Sequence, residues 1–541
     1  MELRAAENQT PPASGAWALN WLTPARCRLI LALLLVGVFL AHLWYLRYAC
    51  PFDLTGDEAQ YWDWSRQLDL SYYSKGPLVA YIIRGSCALF GDTMLAVRLP
   101  ALLLAALTSL CSYWLAARLF RSERLALGAV LLAHLIPLFL AGSLLMTIDP
   151  PFFLAWALAT CLTALAVFDR RRYAWPLIGI VVGLGFLAKY AMFLWLAVLA
   201  IYLIADRDAR RHLRGGLWVA TAVALLFTIP VILWNARHDW VSLKHVSIQT
   251  GAAHGGFDFG NLHEFLGGQI GIIGPTTAVL MVAAVVWAIR TKSPYVLAPA
   301  APHPAQRRAI KFLLFMGLPF WIIVALDCLR TKVQANWPAP AYFTLTLHTP
   351  PNLAKRHQSP RTWATWRPWF LASLVIGLVL IPLALNLQPL YPLAQRLGLK
   401  PRSIDPTVKY TGYDELGHHV SQLLADLPPD TLVLAQDYQT TAQLAFYVDH
   451  QPKTFCVGPY FSEPGDRKRR SQYDVWPDRR LDQPQLVGRD AIYVGHLSEA
   501  MLRDMRKAFA EVRGPRIYPI VRNGVTIRDF KVWQCRQFKG M

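Results

Sequence analysis

The chain has 541 residues, of which 55% are hydrophobic and only 16% charged, and its net charge is +20. Soluble domains carry about a quarter charged residues, so this deficit excludes an ordinary soluble enzyme and places much of the chain in lipid. On such a protein a basic excess marks cytoplasmic loops, which sets nucleic acid aside as a partner.

Residues 1–27 read as a polar, cytoplasmic N-terminal tail. The apolar run that follows exceeds the roughly 7–15 residues of a signal-peptide core, so it is expected to stay as the first span. A spanning helix needs about 20 apolar residues, and runs near 28–47, 94–117, 125–143, 151–168, 174–187, 190–205, 216–234, 265–289, 312–328, 338–349 and 369–387 predict about eleven spans over 28–387. Arg118, Arg121 and Arg124, then Arg170, Arg171 and Arg172, then Arg207, Arg210, Arg211 and Arg214, alternate with segments that hold the acids. By the positive-inside rule this alternation puts the N-terminus in the cytoplasm and the first long loop, 48–92, outside.

From 388 to 541 polar residues rise, and short β-like runs appear at Thr431–Ala435, Ala491–Val494 and Gly524–Ile527. Helical patterns around 412–426 and 498–512 lie between them, which predicts a small extracytoplasmic α/β domain of about 150 residues with its own core. The run Arg467-Lys468-Arg469-Arg470 reads as a solvated face or a contact with lipid phosphates. The eight cysteines show no zinc spacing. Cys456 and Cys535 could form a disulfide if their region is extracytoplasmic, as could Cys50 and Cys87, but spacing does not decide either pairing.

Adjacent Asp57 and Glu58, just after a span, are the main chemical signal, because acids beside a membrane segment are retained at a cost. They open a helix expected over 57–68, where the helix dipole favours carboxylates and N-terminal capping explains one acid more readily than two. Asp63 and Asp69 read as water-facing. The same loop holds Tyr72, Tyr73 and Lys75, the last either a phosphate-holding point charge or a snorkelling lysine. Asp149 in Ile148-Asp149-Pro150 is a site acid or a helix cap. Lys189 reads as part of a hairpin. Arg237, Lys244, His245 and Lys332, on later outer segments, could bind a phosphate or anchor headgroups. No Ser/His/Asp arrangement, Walker loop or Gly-rich dinucleotide motif stands out.

Gly56-Asp57-Glu58-Ala59, Tyr73-Ser74-Lys75-Gly76-Pro77 and Thr147-Ile148-Asp149-Pro150 resemble motifs of integral-membrane GT-C glycosyltransferases. The nearer branch is the bacterial protein-mannosyltransferase-like group that also contains lipid A aminoarabinose transferases. Trp234-Asn235-Ala236-Arg237-His238-Asp239-Trp240-Val241-Ser242, Asn336-Trp337-Pro338 and Gln472-Tyr473-Asp474-Val475-Trp476-Pro477 are similar to segments of other bacterial members. The resemblance covers residues 50–345. It implies a GT-C fold and an inverting transfer of sugar from a polyprenyl-phosphate donor to a lipid A, lipopolysaccharide or other envelope glycan on the outer face of the bacterial inner membrane. It implies Asp57 as the acid that binds or deprotonates the acceptor, Glu58 as its assistant, Asp149 as the second-loop acid and Lys75 as the donor-phosphate lysine. Arg237, Lys244 and Lys332 join Lys75 on the phosphate, and Tyr72, Tyr73, His245 and Asn336 are expected on the substrates. No metal ligand is assigned and no cofactor is required, although a divalent cation between the loops is compatible with the family. The oligomeric state is left open.

The chain departs from the aminoarabinose enzymes, which usually read Lys-Pro-Pro where it has Lys75-Gly76-Pro77, and this argues against aminoarabinose as the sugar. The loop 235–264 is too short for the β-trefoil insertion of eukaryotic mannosyltransferases, so a glycolipid acceptor is favoured over protein. The competing readings are a protein O-glycosyltransferase of the same family, a lipid-linked glycan transporter or flippase, and a non-catalytic scaffold. A transporter would place its polar groups near the midplane rather than at one face.

Overall fold

The computed structural model describes residues 21–249, 258–290, 303–357, 360–461 and 470–541. All eleven apolar runs fall on helices. Among the described residues five helices are long and apolar enough to cross a membrane on their own: Pro24–Ala49, Met94–Phe120, Asp149–Phe168, Gly216–Arg237 and Gln306–Asp327. Three bent pairs raise the number to eight: Glu123–His134 with Pro137–Leu144, Phe259–Ile273 with Pro275–Arg290, and Arg367–Leu383 with Gln388–Arg396. The first two bends, of 75° and 104°, fall where a proline starts a new helix, and Gly274 before Pro275 takes φ +88°. Of the remaining expected spans, 174–187 and 190–205 are shorter apolar helices, and 338–349 falls on Ala339–His357, whose 19 residues do not meet the same test of length and hydropathy. Ala174–Ala188 has 15 residues, about 22 Å of helix against a hydrocarbon core of about 30 Å. One large core, around Trp156, Trp195 and Phe312, joins these helices.

The C-terminal part forms a five-stranded mixed sheet in the order β2-β1-β3-β5-β4, with β1 Leu432–Ala435, β2 Thr454–Cys456, β3 Ala491–Val494, β4 Phe509–Arg522 and β5 Val525–Phe538. The first three strands pair in parallel; β5 runs antiparallel to β3 and β4. β1 and β3 are buried throughout, as strands covered on both faces must be. The pattern near 498–512 divides: Glu499–Ala508 is helical, and the chain then turns into the long β4–β5 ribbon. Cys456 on β2 and Cys535 on β5 have two strands between them, roughly 14 Å at the usual strand spacing and beyond disulfide reach. Both are free thiols, as are Cys50 and Cys87, so neither suggested disulfide forms.

The C-terminal sheet unit is seated on the first long loop through buried polar bonds. Tyr413 N donates to Asp53 Oδ2 at 2.6 Å, Leu54 N donates to the Tyr447 hydroxyl at 2.8 Å, and Gln443 donates to the Leu54 carbonyl. Asp63, expected to face water, is instead fully buried: it accepts the Tyr473 hydroxyl at 2.8 Å and pairs with Arg479 at 3.3 Å. The sequence pattern placed it on a polar helix face because the surface covering that face lies more than 400 residues away. Asp69 is likewise engaged, accepting the Trp234 indole N–H at 2.7 Å.

Asp63 also pairs with Arg66 at 3.3 Å, so removing Arg479 leaves its carboxylate partly compensated and costs less than the about 3–5 kcal/mol of a buried ion left alone. Arg479→Ala is therefore expected to lower the melting temperature of the detergent-solubilised protein and to open the C-terminal unit to protease, whereas an exposed control such as Arg513→Ala leaves both unchanged.

Candidate active site

The helix Gly56–Ser65 starts with a capping box: Thr55 Oγ1 accepts Glu58 N–H at 3.2 Å, and Glu58 Oε2 accepts Thr55 N–H at 2.9 Å. This geometry separates the two adjacent acids. Glu58 turns inward with no exposure and forms a two-point pair with Arg98, each contact 3.0 Å. Glu58 Oε1 also accepts Met146 N–H, at 2.9 Å, from the second loop. Every Glu58 oxygen is thus committed to holding backbone and guanidinium. The structure places Glu58 behind the site rather than beside a substrate, which corrects its assignment among the reacting groups.

Asp57 points the other way, into a cavity of about 890 Å³. Lys75, Asp149, Lys189, Tyr73, His245 and Asn336 line it, as do Phe320, Ile323 and Val324 from a membrane helix, so it has one charged end and one apolar wall. Asp149 opens its helix with Pro150 and Pro151 in the first turn. Its carboxylate accepts Lys189 Nζ at 2.9 Å and Asn336 Nδ2 at 2.7 Å. Lys189 is therefore a site residue and not merely a hairpin. It breaks the helix Ala174–Ala188 at its C-terminus, and two short apolar runs on either side were its only sequence signal.

Lys75 makes no ion pair among the described residues. Burial pushes its pKa below the ordinary lysine value, and the neighbouring charge of Lys189 adds to this, opposed by Asp57 and Asp149. Gly76 explains how two lysines come so near: a Cβ there would lie 2.1 Å from the Leu187 carbonyl oxygen, so only glycine lets the Lys75 loop press against the chain leading into Lys189. Burial also keeps the Tyr61 phenol protonated far into the alkaline range, with Asp57 beside it adding to the effect.

The other predicted residues divide. Tyr73 and His245 lie on the cavity with rings 5.1 Å apart. Tyr72 does not: it is fully buried, stacks on Trp64 at 4.4 Å and donates its hydroxyl to the Trp64 and Gln67 carbonyls, so it is a loop-packing residue. Arg237 and Lys244 are exposed and outside the cavity wall. Lys332 pairs with Glu264 at 2.7 Å on the surface. These three fit the alternative of interfacial anchoring better than a shared phosphate site. Of the basic run near 470, Arg467, Lys468 and Arg469 lie outside the described residues, while Arg470 reaches the cavity. Tyr61, which helical spacing puts on the face of Asp57, also lines it, as do Gln60, Arg330, Tyr438 and Ser471, which had no local sequence signal. Among the described residues no three His, Cys, Asp or Glu side chains converge as a metal set.

Residues 74–234 match the family model described as dolichyl-phosphate-mannose-protein mannosyltransferase. The match spans Lys75, Asp149 and Lys189 but starts after Asp57. Lipid A galacturonosyltransferase RgtD of Rhizobium johnstonii is 28% identical over 396 residues, covering 70% of this chain and 75% of that protein. An undecaprenyl phosphate-α-4-amino-4-deoxy-L-arabinose arabinosyl transferase of Pseudomonas paraeruginosa is 32% identical over 169 residues, covering only 30% of this chain and 31% of its own length. The crystal structure of ArnT from Cupriavidus metallidurans bound to undecaprenyl phosphate superposes with a TM-score of 0.60 at 17% identity, over 95% of this chain and 98% of that one.

The chain has the multi-pass fold of the GT-C membrane glycosyltransferases. Within that fold class the chain is similar to the bacterial lipid A sugar transferases named above.

If the Gly76 contact sets the spacing of the two lysines, Gly76→Ala is expected to lower sugar transfer at least tenfold while the protein still inserts and elutes as a single species. Transfer assays beside size-exclusion chromatography check this; wild-type activity in the variant would remove the spacing argument.

Proposed function

We propose that this protein moves a sugar from a polyprenyl-phosphate donor to a glycolipid of the cell envelope, lipid A or a lipopolysaccharide core, at the outer face of the inner membrane. The observation that carries the reading is the cavity itself. A carboxylate, Asp57, faces an ion pair, Asp149–Lys189, and a second lysine, Lys75, at the edge of an apolar wall made by membrane helices. A polyprenyl-phosphate sugar has that same division into lipid chain and charged head, and the names of the relatives point to such donors and to lipid A.

In this reading the prenyl chain lies along Phe320, Ile323 and Val324, and its phosphate meets Lys75. Asp57 accepts the proton of the acceptor hydroxyl, whose oxygen forms the new bond to the anomeric carbon as the bond to phosphate breaks. A general base works within about 2.6–3.2 Å of that proton. The polyprenyl phosphate leaves with added negative charge, which Lys75 offsets best at that moment because its site is partly dry. Asp149, held by Lys189 and Asn336, sits where it can orient the sugar hydroxyls. Attack opposite the leaving phosphate inverts the anomeric centre. The arginine-rich loops opposite face the cytoplasm, and the C-terminal sheet unit lies in the periplasm.

Mass spectrometry of lipid A and core glycans from cells with and without the gene tests the reading: loss of one defined sugar is expected, and identical profiles would sink it. Asp57→Asn is expected to lower transfer by about 10²–10⁴-fold, the usual contribution of a positioned base, with little change in melting temperature. Lys75 is charged only below its own pKa, which lies below the ordinary 10.5. Affinity for undecaprenyl phosphate should therefore fall as pH rises, with a midpoint under 10.5. Lys75→Arg, charged throughout, should bind without that alkaline loss; the same alkaline limb in both proteins would detach Lys75 from the phosphate.

A further inference from the structure

The C-terminal sheet unit does more than cap the membrane part. Its helix Tyr438–Tyr447, started by the Asp437 cap, packs directly on the helix that carries Asp57. The approach is close enough that a Cβ at Gly56 would come within 2.6 Å of the Gln439 side chain. Gln439 Nε2 donates to Asp57 Oδ1 at 3.4 Å. Gln472 from the same unit accepts Tyr73 N–H at 2.6 Å, fixing the backbone two residues before Lys75. Tyr438, Arg470 and Ser471 complete the cavity wall on this side, and Arg470 is the one charge among the three. Asp474 feels the charge of Arg470 but bonds to Ser471, and no ion pair joins it to Arg470 among the described residues.

These positions acquire meaning from the reaction, and the inference rests on the reading given above. A base must touch the acceptor hydroxyl, so the residues that border the base border the acceptor as well. We propose that the C-terminal unit forms the acceptor subsite: Gln439 is a positioning residue that holds the Asp57 carboxylate, and Arg470 binds an anionic group of the acceptor, phosphate or carboxylate, beside the accepting hydroxyl. Arginine suits either anion through its forked donors. The donor half of the cavity is built by the membrane helices and the first loop, and the acceptor half by the sheet unit.

The test uses the full-length protein in nanodiscs with three acceptor probes: bisphosphorylated lipid A, the same lipid A after dephosphorylation, and dephosphorylated lipid A carrying one uronic acid. Arg470 is exposed at the cavity rim, so Arg470→Ala is expected to fold, with undecaprenyl phosphate affinity within twofold of wild type as the control. Its KM should rise at least tenfold for the acceptor whose anion it reads, with little change in kcat, and should match wild type on the neutral lipid. A rise only with the phosphorylated probe assigns phosphate, and a rise only with the uronic acid probe assigns carboxylate. Unchanged acceptor KM, or an equal loss of undecaprenyl phosphate affinity, overturns the assignment. A hydrogen bond to a carboxylate favours its charged form, so Gln439→Ala should move the acid limb of kcat/KM to higher pH. A proportional loss of activity with an unmoved limb would make Gln439 merely structural. Wild-type protein inactive on all probes would defeat the parent reading; active wild type with unmoved variants defeats this inference alone.

Discussion

The structure depends on one buried ion pair. Glu58 and Arg98 meet in a two-point contact with no exposure on either side chain. A pair like this is costly to form in a dry interior and is kept only when every lone pair and proton has a partner. Here the remaining Glu58 bonds go to Thr55 N–H and Met146 N–H, and an Arg98 bond goes to the Asp53 carbonyl at 2.7 Å. The first loop, the second loop and the long helix Met94–Phe120 are thereby fixed at one point. Asp57 and Asp149 lie one and three residues from the bonded groups of their loops, so their relative placement follows from this knot. The chemistry faces the cavity because its neighbour faces away from it.

The second determinant is the layering of the site. A membrane half supplies an apolar wall and two lysines, and a sheet unit closes the opposite side. Seating that unit on the first loop buries the Asp63–Arg479 pair and the Tyr473 hydroxyl and brings Trp62 edge-on to Phe446 at 4.8 Å. Such an interface, polar bonds within an aromatic surround, holds two units in register where a purely greasy contact would let them slide. Asp53 shows how closely it is set: burial raises its pKa to about 6, although Tyr413 and Asp414 N–H groups favour its charged form.

How much of this was legible in the sequence follows from the range of each signal. Apolar runs are local, and each fell on a helix; whether a helix is long enough to span, or is broken at Pro137 or Pro275, depends on the bend. The adjacent acids were legible as a pair, but their division was not. Glu58 turns inward because Arg98, forty residues on, waits for it. Asp63 read as solvated because Arg479, which covers it, is remote in the chain, and Tyr72 read as substrate-facing because its stacking on Trp64 depends on how the loop after the helix folds back. Lys189 carried only the weak signal of a polar break. Arg470 was legible only as part of a basic run, and Gln439 and Tyr438 carried no signal, since a residue that acts across a domain contact has no local pattern. Arg237, Lys244 and Lys332 were over-read because positive charge beside a membrane serves anchoring as readily as phosphate binding.

The Asp63–Arg479 contact also bears on the timing of synthesis. Its two residues are 416 positions apart, a gap that takes roughly 20–80 s to translate at about 5–20 residues per second. Through that interval Asp63 has only the local Arg66 guanidinium, at 3.3 Å, and the cavity lacks one wall until Tyr438, Arg470 and Ser471 are made. The nascent protein thus inserts its helices with the site still open, and the charged end is enclosed only when the last fifth of the chain arrives. Premature termination before Tyr438 leaves the cavity without that wall, and termination before Arg479 leaves Asp63 without its fully buried partner.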